Sequence, residues 1–310
     1  MTVLVVENTF SELLHPIAKN LNPWRQKYVE VKNELSPNLN PYRNSHEIRI
    51  SAAITYTDLP HLKTASVFET MRWEYERGLY KDVDTLVVPY GNAAQAAGIL
   101  ARAFGIKRVA VVLPGDEYTA LEELDKSRSR VLNVFGHLKG RHIHEYRTGP
   151  LLTKAVDGPI GLIAVAMGSC NTVVGLSRYF KRVGFSDTII LGVRPKLGER
   201  VPGTLDGAQM GQLVKLPYRK ALDELVEVTR EEALAGALDL RGEVTPQPGF
   251  SSGLAYAGLM KFLSGSSSAD LSDLLHGRHA VFVCPDDGRI YPELTPELTI
   301  GGTYPSSPRL

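Results

Sequence analysis

The chain has 310 residues, 43% of them hydrophobic, which is enough to bury a large core in one large domain or two smaller ones. Its 35 Lys and Arg residues nearly balance its 34 Asp and Glu residues, so no overall field favours nucleic acid or an acidic membrane surface. We therefore expect a small-molecule partner, with no nucleic acid and no membrane involved.

The cysteine content and the lengths of the apolar runs indicate the cellular compartment. Cys170 and Cys284 are the only cysteines and make no disulfide framework. The first ten residues lack the pattern of a signal peptide, and the longest apolar runs, such as 162–167, are too short to span a bilayer. These features predict a soluble protein in a reducing cytoplasm.

Hydrophobic periodicity predicts alternating helices and strands from about Ser66 onward. The predicted order is helix 65–78, strand 84–89, helix 92–105, strand 108–114, helix 117–138, strand 161–167, helix 172–182, strand 188–193, an irregular segment 194–211, later helices and a final strand 279–285. Near-continuous apolar strands joined by helices are typical of mainly parallel sheets covered on both faces. The fold class is therefore α/β, with two lobes that meet near residues 147–159.

Ligands in such folds bind at the carboxyl ends of strands. After strand 161–167, the residues Gly168, Ser169, Cys170, Asn171 and Thr172 offer a tight turn, two hydroxyls and an amide at the start of a helix. Backbone N–H groups and the helix dipole could hold a phosphate there. An ordinary N-cap explains the same residues, because Ser, Asn and Thr are favoured at helix starts with or without an anion.

Two further segments share this construction. Gly91 and Asn92 lie between a strand and an alanine-rich helix, and Ser251 and Ser252 precede another helix within GFSSG. The Gly-x-Ser-x-Gly spacing also matches the nucleophile elbow of α/β-hydrolases, with Asp273 or Asp286 and His276 or His279 as partners. The elbow needs a strand leading directly into the serine, and the prolines of EVTPQPGF argue against one.

Together these segments resemble the tryptophan synthase β-subunit and cysteine synthase superfamily, the fold type II pyridoxal-phosphate enzymes. GSCNTVVGLSRYFKR resembles its glycine-rich phosphate loop and following helix, and GNAAQAAGILARAFG resembles the stretch after its Ser-Gly-Asn signature. GFSSG resembles the segment that meets the pyridine nitrogen, and HAVFVCPDDGRIY resembles the last strand and turn. The match runs with interruptions from about His61 to Tyr291.

The resemblance implies a tryptophan synthase β-like fold and bound pyridoxal 5'-phosphate. It implies an N-terminal lobe of residues 1–150, of which 1–49 could pack partly on the other lobe, and a C-terminal lobe of residues 151–310. It places the Schiff-base lysine at a helix start, where Lys63 lies 29 residues before Asn92. The family's Pro-Thr-Gly-Ser-x-Lys-Asp pattern is absent around Lys63, and the earlier Asn-Pro segment carries Arg43 instead of lysine.

The remaining roles are also implied by the resemblance. The residues implied to bind the phosphate are Gly168, Ser169, Cys170, Asn171 and Thr172. The ring is contacted by Asn92, and the pyridine nitrogen by Ser251, whose neutral hydroxyl would not enforce a protonated ring. The resemblance implies that Tyr90, Gly91 and Ala93 bind the substrate's carboxylate. This loop departs from the family pattern, because Tyr90 stands where the family has Ser or Thr.

The implied reaction is β-replacement or β-elimination on an amino acid, through an aminoacrylate intermediate, in a cytoplasmic homodimer. A lyase or deaminase, or a threonine-synthase-like γ-elimination, stands as the alternative within the resemblance. Outside it stand a serine hydrolase using Ser251 and a cofactor-free binding subunit.

Two other features have ordinary interpretations. HIHE at 142–145 resembles a metal pair, but without a second ligand cluster we expect exposed strand or loop residues. Cys284 follows an apolar strand and is interpreted as a small buried hydrophobe.

Overall fold

Two sheets organise the computed structural model, which describes residues 4–7, 21–182, 184 and 187–294. Its strands are β1 Leu4–Glu7, β2 Glu30–Lys32, β3 Arg49–Ile54, β4 Thr85–Pro89, β5 Arg108–Val112, β6 Ser129–Val131, β7 Ile160–Ala166, β8 Ile189–Pro195, β9 Glu224–Val228 and β10 His279–Cys284. The four-stranded sheet has the order β1-β5-β4-β6 and the six-stranded sheet the order β2-β3-β10-β7-β8-β9.

Both sheets are mainly parallel, as predicted. Among the strands in the described residues, only the edge pairs β1–β5 and β2–β3 are antiparallel. Parallel neighbours need crossover connections, which here are mostly helical. The α-helices are α1 Arg43–His46, α2 Lys63–Tyr75, α3 Asn92–Leu100, α4 Glu117–Glu123, α5 Gly149–Ala155, α6 Asn171–Arg182, α7 Gly207–Leu213, α8 Arg230–Asp239, α9 Phe250–Gly265 and α10 Ser268–Leu275. A π-helix, His144–Thr148, precedes α5.

Strand β10 is apolar throughout because it is buried on both faces of the sheet. Val281 and Val283 pack into one core cluster, while Ala280, Phe282 and Cys284 pack into a second cluster on the other face. All six residues of the strand are buried. A strand covered on both faces has no solvent side on which to place polar residues, so the alternation of half-exposed strands is lost. Cys284 is fully buried in this core, as expected.

The predicted helix 117–138 is wrong beyond its first two turns. Helix α4 ends at Glu123, and Leu124 is already extended, with φ −102° and ψ 166°. The Oδ1 atom of Asp125 accepts hydrogen bonds from the N–H of Ser127 (3.0 Å) and from its hydroxyl (2.6 Å), which closes a turn. Such local bonds compete with helix formation, and the chain then pairs as strand β6 beside β4.

Other elements also depart from the sequence interpretation. Strands β1, β2, β3, β6 and β9 were not predicted, and the supposedly irregular segment 194–211 contains the start of α7, capped by Asp206. Strands β2 and β3 lie in the sheet formed otherwise by the C-terminal half. The proposed boundary at residue 150 falls inside α5 and stays a prediction. No helix in the described ranges is long and apolar enough to cross a bilayer, and residues 1–3 and 8–10 of the segment inspected for a signal peptide lie outside them.

Candidate functional site

Segments that follow strands β3, β4, β7 and β10 meet the start of helix α9 at one pocket. The pocket is lined by Leu62, Lys63, Ser66, Asn92, Ala166, Gly168, Ser169, Cys170, Thr172, Val173, Gly203, Ser251 and Pro285. The carboxyl ends of parallel strands are the usual place for a ligand in this type of fold. The structure thus brings together seven residues that the sequence interpretation assigned to one site: Lys63, Asn92, Gly168, Ser169, Cys170, Thr172 and Ser251.

Lys63 is the first residue of α2, and its amine faces the loop after β7. Its Nζ atom donates a hydrogen bond to Ser169 Oγ at 2.7 Å. Burial disfavours the charged ammonium form and lowers the pKa of Lys63 to about 8, against a smaller opposing influence of Cys170. A lysine with a lowered pKa keeps a larger neutral fraction near neutral pH, which is the form that attacks carbonyl groups.

The loop from Gly168 to Thr172 approaches other backbone very closely. A Cβ atom on Gly168 would lie 2.7 Å from the carbonyl oxygen of Gly203, so only glycine fits there. Cys170 has a left-handed backbone with φ 63°, a conformation that favours glycine. Its thiol is buried, which raises its pKa to about 12 and keeps it protonated.

Polar groups at the start of α6 complete this loop. Asn171 Nδ2 donates to the Val134 carbonyl at 3.2 Å and to Ser169 Oγ at 3.1 Å, so its side chain braces the loop and does not line the pocket. Thr172 lines the pocket, and the first turn of α6 carries no acidic residue. A helix N-terminus of this kind, with hydroxyls beside it, attracts anions.

Behind Thr172 lies His144, which corrects the interpretation of HIHE. His144 is fully buried in the π-helix, neither exposed nor in a strand or loop. Its Nε2 atom lies 2.7 Å from Ser66 Oγ and 3.4 Å from Thr172 Oγ1, and its Nδ1 atom lies 2.9 Å from Thr148 Oγ1. Burial lowers its pKa to about 3, so the ring is neutral and can accept at one nitrogen while donating at the other. No cluster of three potential metal ligands occurs in the part of the chain described.

Ser251 lies in the first turn of α9, against a buried carboxylate. Its Oγ atom donates to Asp286 Oδ1 at 3.1 Å, while Asn92 Nδ2 (3.3 Å) and the Tyr291 hydroxyl (2.5 Å) donate to Asp286 Oδ2. Asp286 is only 1% exposed, and burial raises the pKa of its carboxyl group, which the three hydrogen bonds partly oppose. The sequence analysis considered Asp286 only as the acid of a hydrolase triad that also needs a histidine, and it did not predict this direct hydrogen bond to Ser251.

The same geometry gives no support to a hydrolase elbow. Ser251 is preceded by Gly249 and a helix start rather than by a strand. His279 contacts Ser51 and Asp157 from the first residue of β10, at the opposite end from the segment that carries Asp286. No imidazole is within hydrogen-bond distance of Ser251 among the described residues.

Three predicted substrate residues lie outside the pocket lining. Tyr90 is 56% exposed, Gly91 is the N-cap of α3 with φ 109°, and Ala93 is buried in the core cluster. Sequence reasoning in turn missed Ser66 and Gly203. Ser66 lies one helical turn after Lys63, and this spacing places both on one face of α2, a signal the sequence did contain. Gly203 is distant in sequence and gave no such signal.

Comparison with known proteins relates the chain to the cysteine synthases. No protein-family model matches it. It is 27% identical over 180 residues to cysteine synthase A of Salmonella typhi, which covers 54% of each chain, and 25% identical over 182 residues to cysteine synthase B of Escherichia coli. The chain thus matches only about half the length of these relatives.

Solved structures extend the likeness to nearly the whole chain. A cysteine synthase from Entamoeba histolytica superposes with a TM-score of 0.71 over 94% of this chain and 92% of its own, at 17% identity. A hydrogen sulfide-producing enzyme of Fusobacterium nucleatum, solved as a mutant in complex with an α-aminoacrylate intermediate, gives 0.62 over 83% and 86% at 19% identity. These neighbours confirm the predicted α/β fold.

Proposed function

We propose that this chain, which has the fold type II architecture and is related in sequence to the cysteine synthases, is a pyridoxal-phosphate-dependent enzyme that carries out β-replacement or β-elimination on an amino acid. The observation that carries the proposal is the placement of Lys63. A lysine with a lowered pKa begins a helix and donates to Ser169 in a glycine-containing loop at the mouth of α6. An amine and an anion-binding loop side by side suit a cofactor that bears an aldehyde and a phosphate.

The residues present fit this cofactor. The Gly168–Thr172 loop offers hydroxyls, backbone N–H groups and a helix N-terminus for the phosphate, and its close approach to Gly203 leaves no room for a Cβ atom at Gly168. When bound, the cofactor supplies an electron sink for the substrate's α-carbon.

Different residues of the chain would then bind the cofactor, orient it and transfer the proton. Lys63 would hold the cofactor covalently through its neutral amine and, once that amine is released, would move the substrate's α-proton. Ser169, Thr172 and the backbone from Gly168 through Cys170 to Asn171 would bind the phosphate by charge-assisted hydrogen bonds. Asn92 and Ser251 would orient the ring.

The loop expected to bind the substrate differs from the family pattern. Tyr90, Gly91 and Ala93 stand where the resemblance places the carboxylate loop, but none of them lines the pocket: Tyr90 is 56% exposed and Ala93 is buried in the core. We propose this loop as the determinant of substrate choice. The two free thiols are compatible with the proposed cytoplasmic location, and a homodimer stays a prediction of the resemblance.

One experiment tests the reaction class. The protein, loaded with pyridoxal phosphate, is incubated with serine derivatives that carry different β-leaving groups, with and without sulfide. We expect pyruvate without a nucleophile, or a thiol amino acid with sulfide, from at least one derivative. Turnover of homoserine derivatives alone would favour γ-elimination and contradict the proposal.

A further inference from the structure

A continuous row of buried polar side chains leads from the pocket into the protein interior. Ser66 Oγ lies 2.7 Å from Nε2 of His144, and Nδ1 of His144 lies 2.9 Å from Thr148 Oγ1. The Thr148 hydroxyl in turn lies 2.7 Å from the hydroxyl of Tyr28. All four residues are buried, and Ser66 is the one that lines the pocket. Buried hydroxyl and N–H protons need acceptors within the protein, which constrains the direction of every hydrogen bond in this row.

Tyr28 sets the direction in which these groups donate. Burial raises the pKa of Tyr28, so the phenol keeps its proton. Among the described residues, the Thr148 hydroxyl is the only hydrogen-bond partner of that phenol. The proton of Thr148 then points to its other neighbour, Nδ1 of His144. The ring of His144 is neutral because burial lowers its pKa to about 3, and a neutral ring with a bare Nδ1 carries its proton on Nε2.

The opposite direction would leave a proton without an acceptor. With its proton on Nδ1, His144 would donate to Thr148. Only one of the two hydroxyl protons of Thr148 and Tyr28 can lie between their oxygens, so the other would be buried and unpaired, which costs free energy. The Nε2–H form avoids this cost and donates to Ser66 Oγ at 2.7 Å. Since Ser66 accepts from His144, its own proton is left for the pocket.

Ser66 lies at the end of the pocket that is formed by the loop from Gly168 to Thr172. The Nε2 atom of His144 that contacts Ser66 also lies 3.4 Å from Thr172 Oγ1, so the two hydroxyls are neighbours. Lys63 is the only lysine or arginine among the residues that line the pocket, and the proposed function needs its amine for the aldehyde. A phosphate at this end therefore depends on neutral hydrogen-bond donors, and a hydroxyl that donates to an anion makes a strong hydrogen bond.

We propose that Ser66 is a phosphate-binding residue in addition to the Gly168–Thr172 loop, and that His144 is a positioning residue that holds the Ser66 hydroxyl as a donor. The inference rests on the proposed function, because it requires the cofactor's phosphate at this end of the pocket. The resemblance assigned phosphate binding to the loop alone. Here Ser66 donates to a phosphate oxygen and His144 Nε2–H donates to Ser66, with no proton transferred.

Four variants separate the hydroxyl from its support. Ser66→Ala removes the donor, and Ser177→Ala is its matched control, because Ser177 is a buried serine of α6 that does not line the pocket. His144→Phe removes both ring nitrogens. His144→Gln retains an amide N–H that can reach the position of Nε2 and donate to Ser66.

The experiment titrates each protein with pyridoxal phosphate and with pyridoxal, which lacks the phosphate. The adduct on Lys63 is fixed with borohydride and quantified by mass spectrometry. We expect Ser66→Ala to raise the half-saturating concentration of pyridoxal phosphate at least about tenfold, the usual effect of losing a hydrogen bond to a charged group, and to leave that of pyridoxal nearly unchanged. His144→Phe should act in the same direction and add little to Ser66→Ala in the double variant. His144→Gln and Ser177→Ala should resemble wild type.

Nitrogen NMR of the cofactor-free protein tests the proton direction without any ligand. In protein with ¹⁵N-labelled histidine, the signals of His144 are those that disappear in His144→Gln or His144→Phe. We expect a neutral ring with its proton on Nε2. A proton on Nδ1 alone, or on both nitrogens, would overturn the inference.

The binding results that would overturn it are equally specific. They are a wild-type response of Ser66→Ala to both aldehydes, an equal loss of both aldehydes in Ser66→Ala, or an equal loss of pyridoxal phosphate in Ser177→Ala. A wild-type response of His144→Phe would remove the positioning role. Failure of the proposed function looks different, because wild-type protein would then form no stoichiometric adduct on Lys63 with pyridoxal phosphate, and both proposals would fall together.

Discussion

The amine of Lys63 lies 2.7 Å from the hydroxyl of Ser169, across the interface between the start of one helix and the loop that precedes another. Lys63 follows strand β3 in the chain, and Ser169 follows β7. Strand β10 lies between β3 and β7 and is parallel to both. The contact therefore depends on three strands whose carboxyl ends share one edge of the sheet, and it joins residues 106 positions apart.

The lowered pKa of Lys63 predicts unusual reactivity toward acylating reagents. Only the neutral amine reacts, so its labelling rate should rise with pH and reach half its maximum near pH 8. At pH 7 roughly a tenth of the Lys63 amines would be neutral. Competitive labelling of the cofactor-free protein with trace acetic anhydride, read by mass spectrometry, measures this, with the exposed Lys107 as reference. A half-maximum for Lys63 at pH 10 or above would contradict the assigned environment.

Gly168→Ala should disrupt the pocket by steric conflict. The added Cβ would lie 2.7 Å from the Gly203 carbonyl oxygen. The oxygen is a backbone atom and the position of the Cβ is fixed by the backbone of residue 168, so no side-chain rotation relieves the contact. We expect at least tenfold weaker cofactor binding and a loss of about 1–3 kcal/mol in the free energy of unfolding. Gly211→Ala is the matched control, because a Cβ there meets nothing within 4 Å and lies in helix α7. Equal behaviour of the two variants in equilibrium dialysis and urea unfolding would refute the close-packing argument.

Cys170→Gly should be tolerated although the residue lines the pocket. Its φ of 63° costs an L-residue about 1–2 kcal/mol, which glycine avoids at some entropic cost. We expect the free energy of unfolding to be unchanged or to rise by up to about 1 kcal/mol, with cofactor binding retained. Cys284→Gly, in the buried strand β10, should instead lose about 1–3 kcal/mol. Loss of turnover in fully loaded Cys170→Gly protein would show that the thiol has a chemical role.

Thr172→Val tests the hydroxyl contribution to the phosphate site. Valine keeps the shape of threonine but removes the hydroxyl, which lies 3.4 Å from His144 Nε2 and lines the pocket. The loss of one hydrogen bond to a charged group is worth about 1.5–3 kcal/mol, so the dissociation constant should rise at least about tenfold. Thr153→Val, whose hydroxyl bonds the Gly149 carbonyl at 3.1 Å within α5, serves as control. Fluorescence titration with pyridoxal phosphate should separate the two variants.

Much of the site was predictable because its residues stand at the ends of strongly patterned elements. The loops before α3 and α6 follow apolar strands, and their Gly, Asn and Ser residues have local reasons to start helices. Lys63 could be chosen only through the family resemblance, since an isolated lysine at a helix start is ordinarily exposed. Helix α2 does begin at Lys63.

What could not be predicted depends on contacts between distant segments. The Ser251–Asp286 bond joins residues 35 apart, and the His144–Ser66 contact joins residues 78 apart. No periodicity within either segment carries that information. Strand β6 was missed for a related reason: its three residues become a strand only by pairing with β4, while their sequence continues a helical pattern. Tertiary pairing overrides local preference in such short segments.

Reductive labelling of Lys63 tests the central claim most directly. Wild-type protein and the variants Lys63→Ala and Lys107→Ala are incubated with pyridoxal phosphate, reduced with borohydride, digested and analysed by mass spectrometry. The account predicts one stoichiometric phosphopyridoxyl group, on Lys63, in wild type and Lys107→Ala, and no comparable label in Lys63→Ala. Stoichiometric labelling of another lysine, or only scattered surface labelling of wild-type protein, would contradict it.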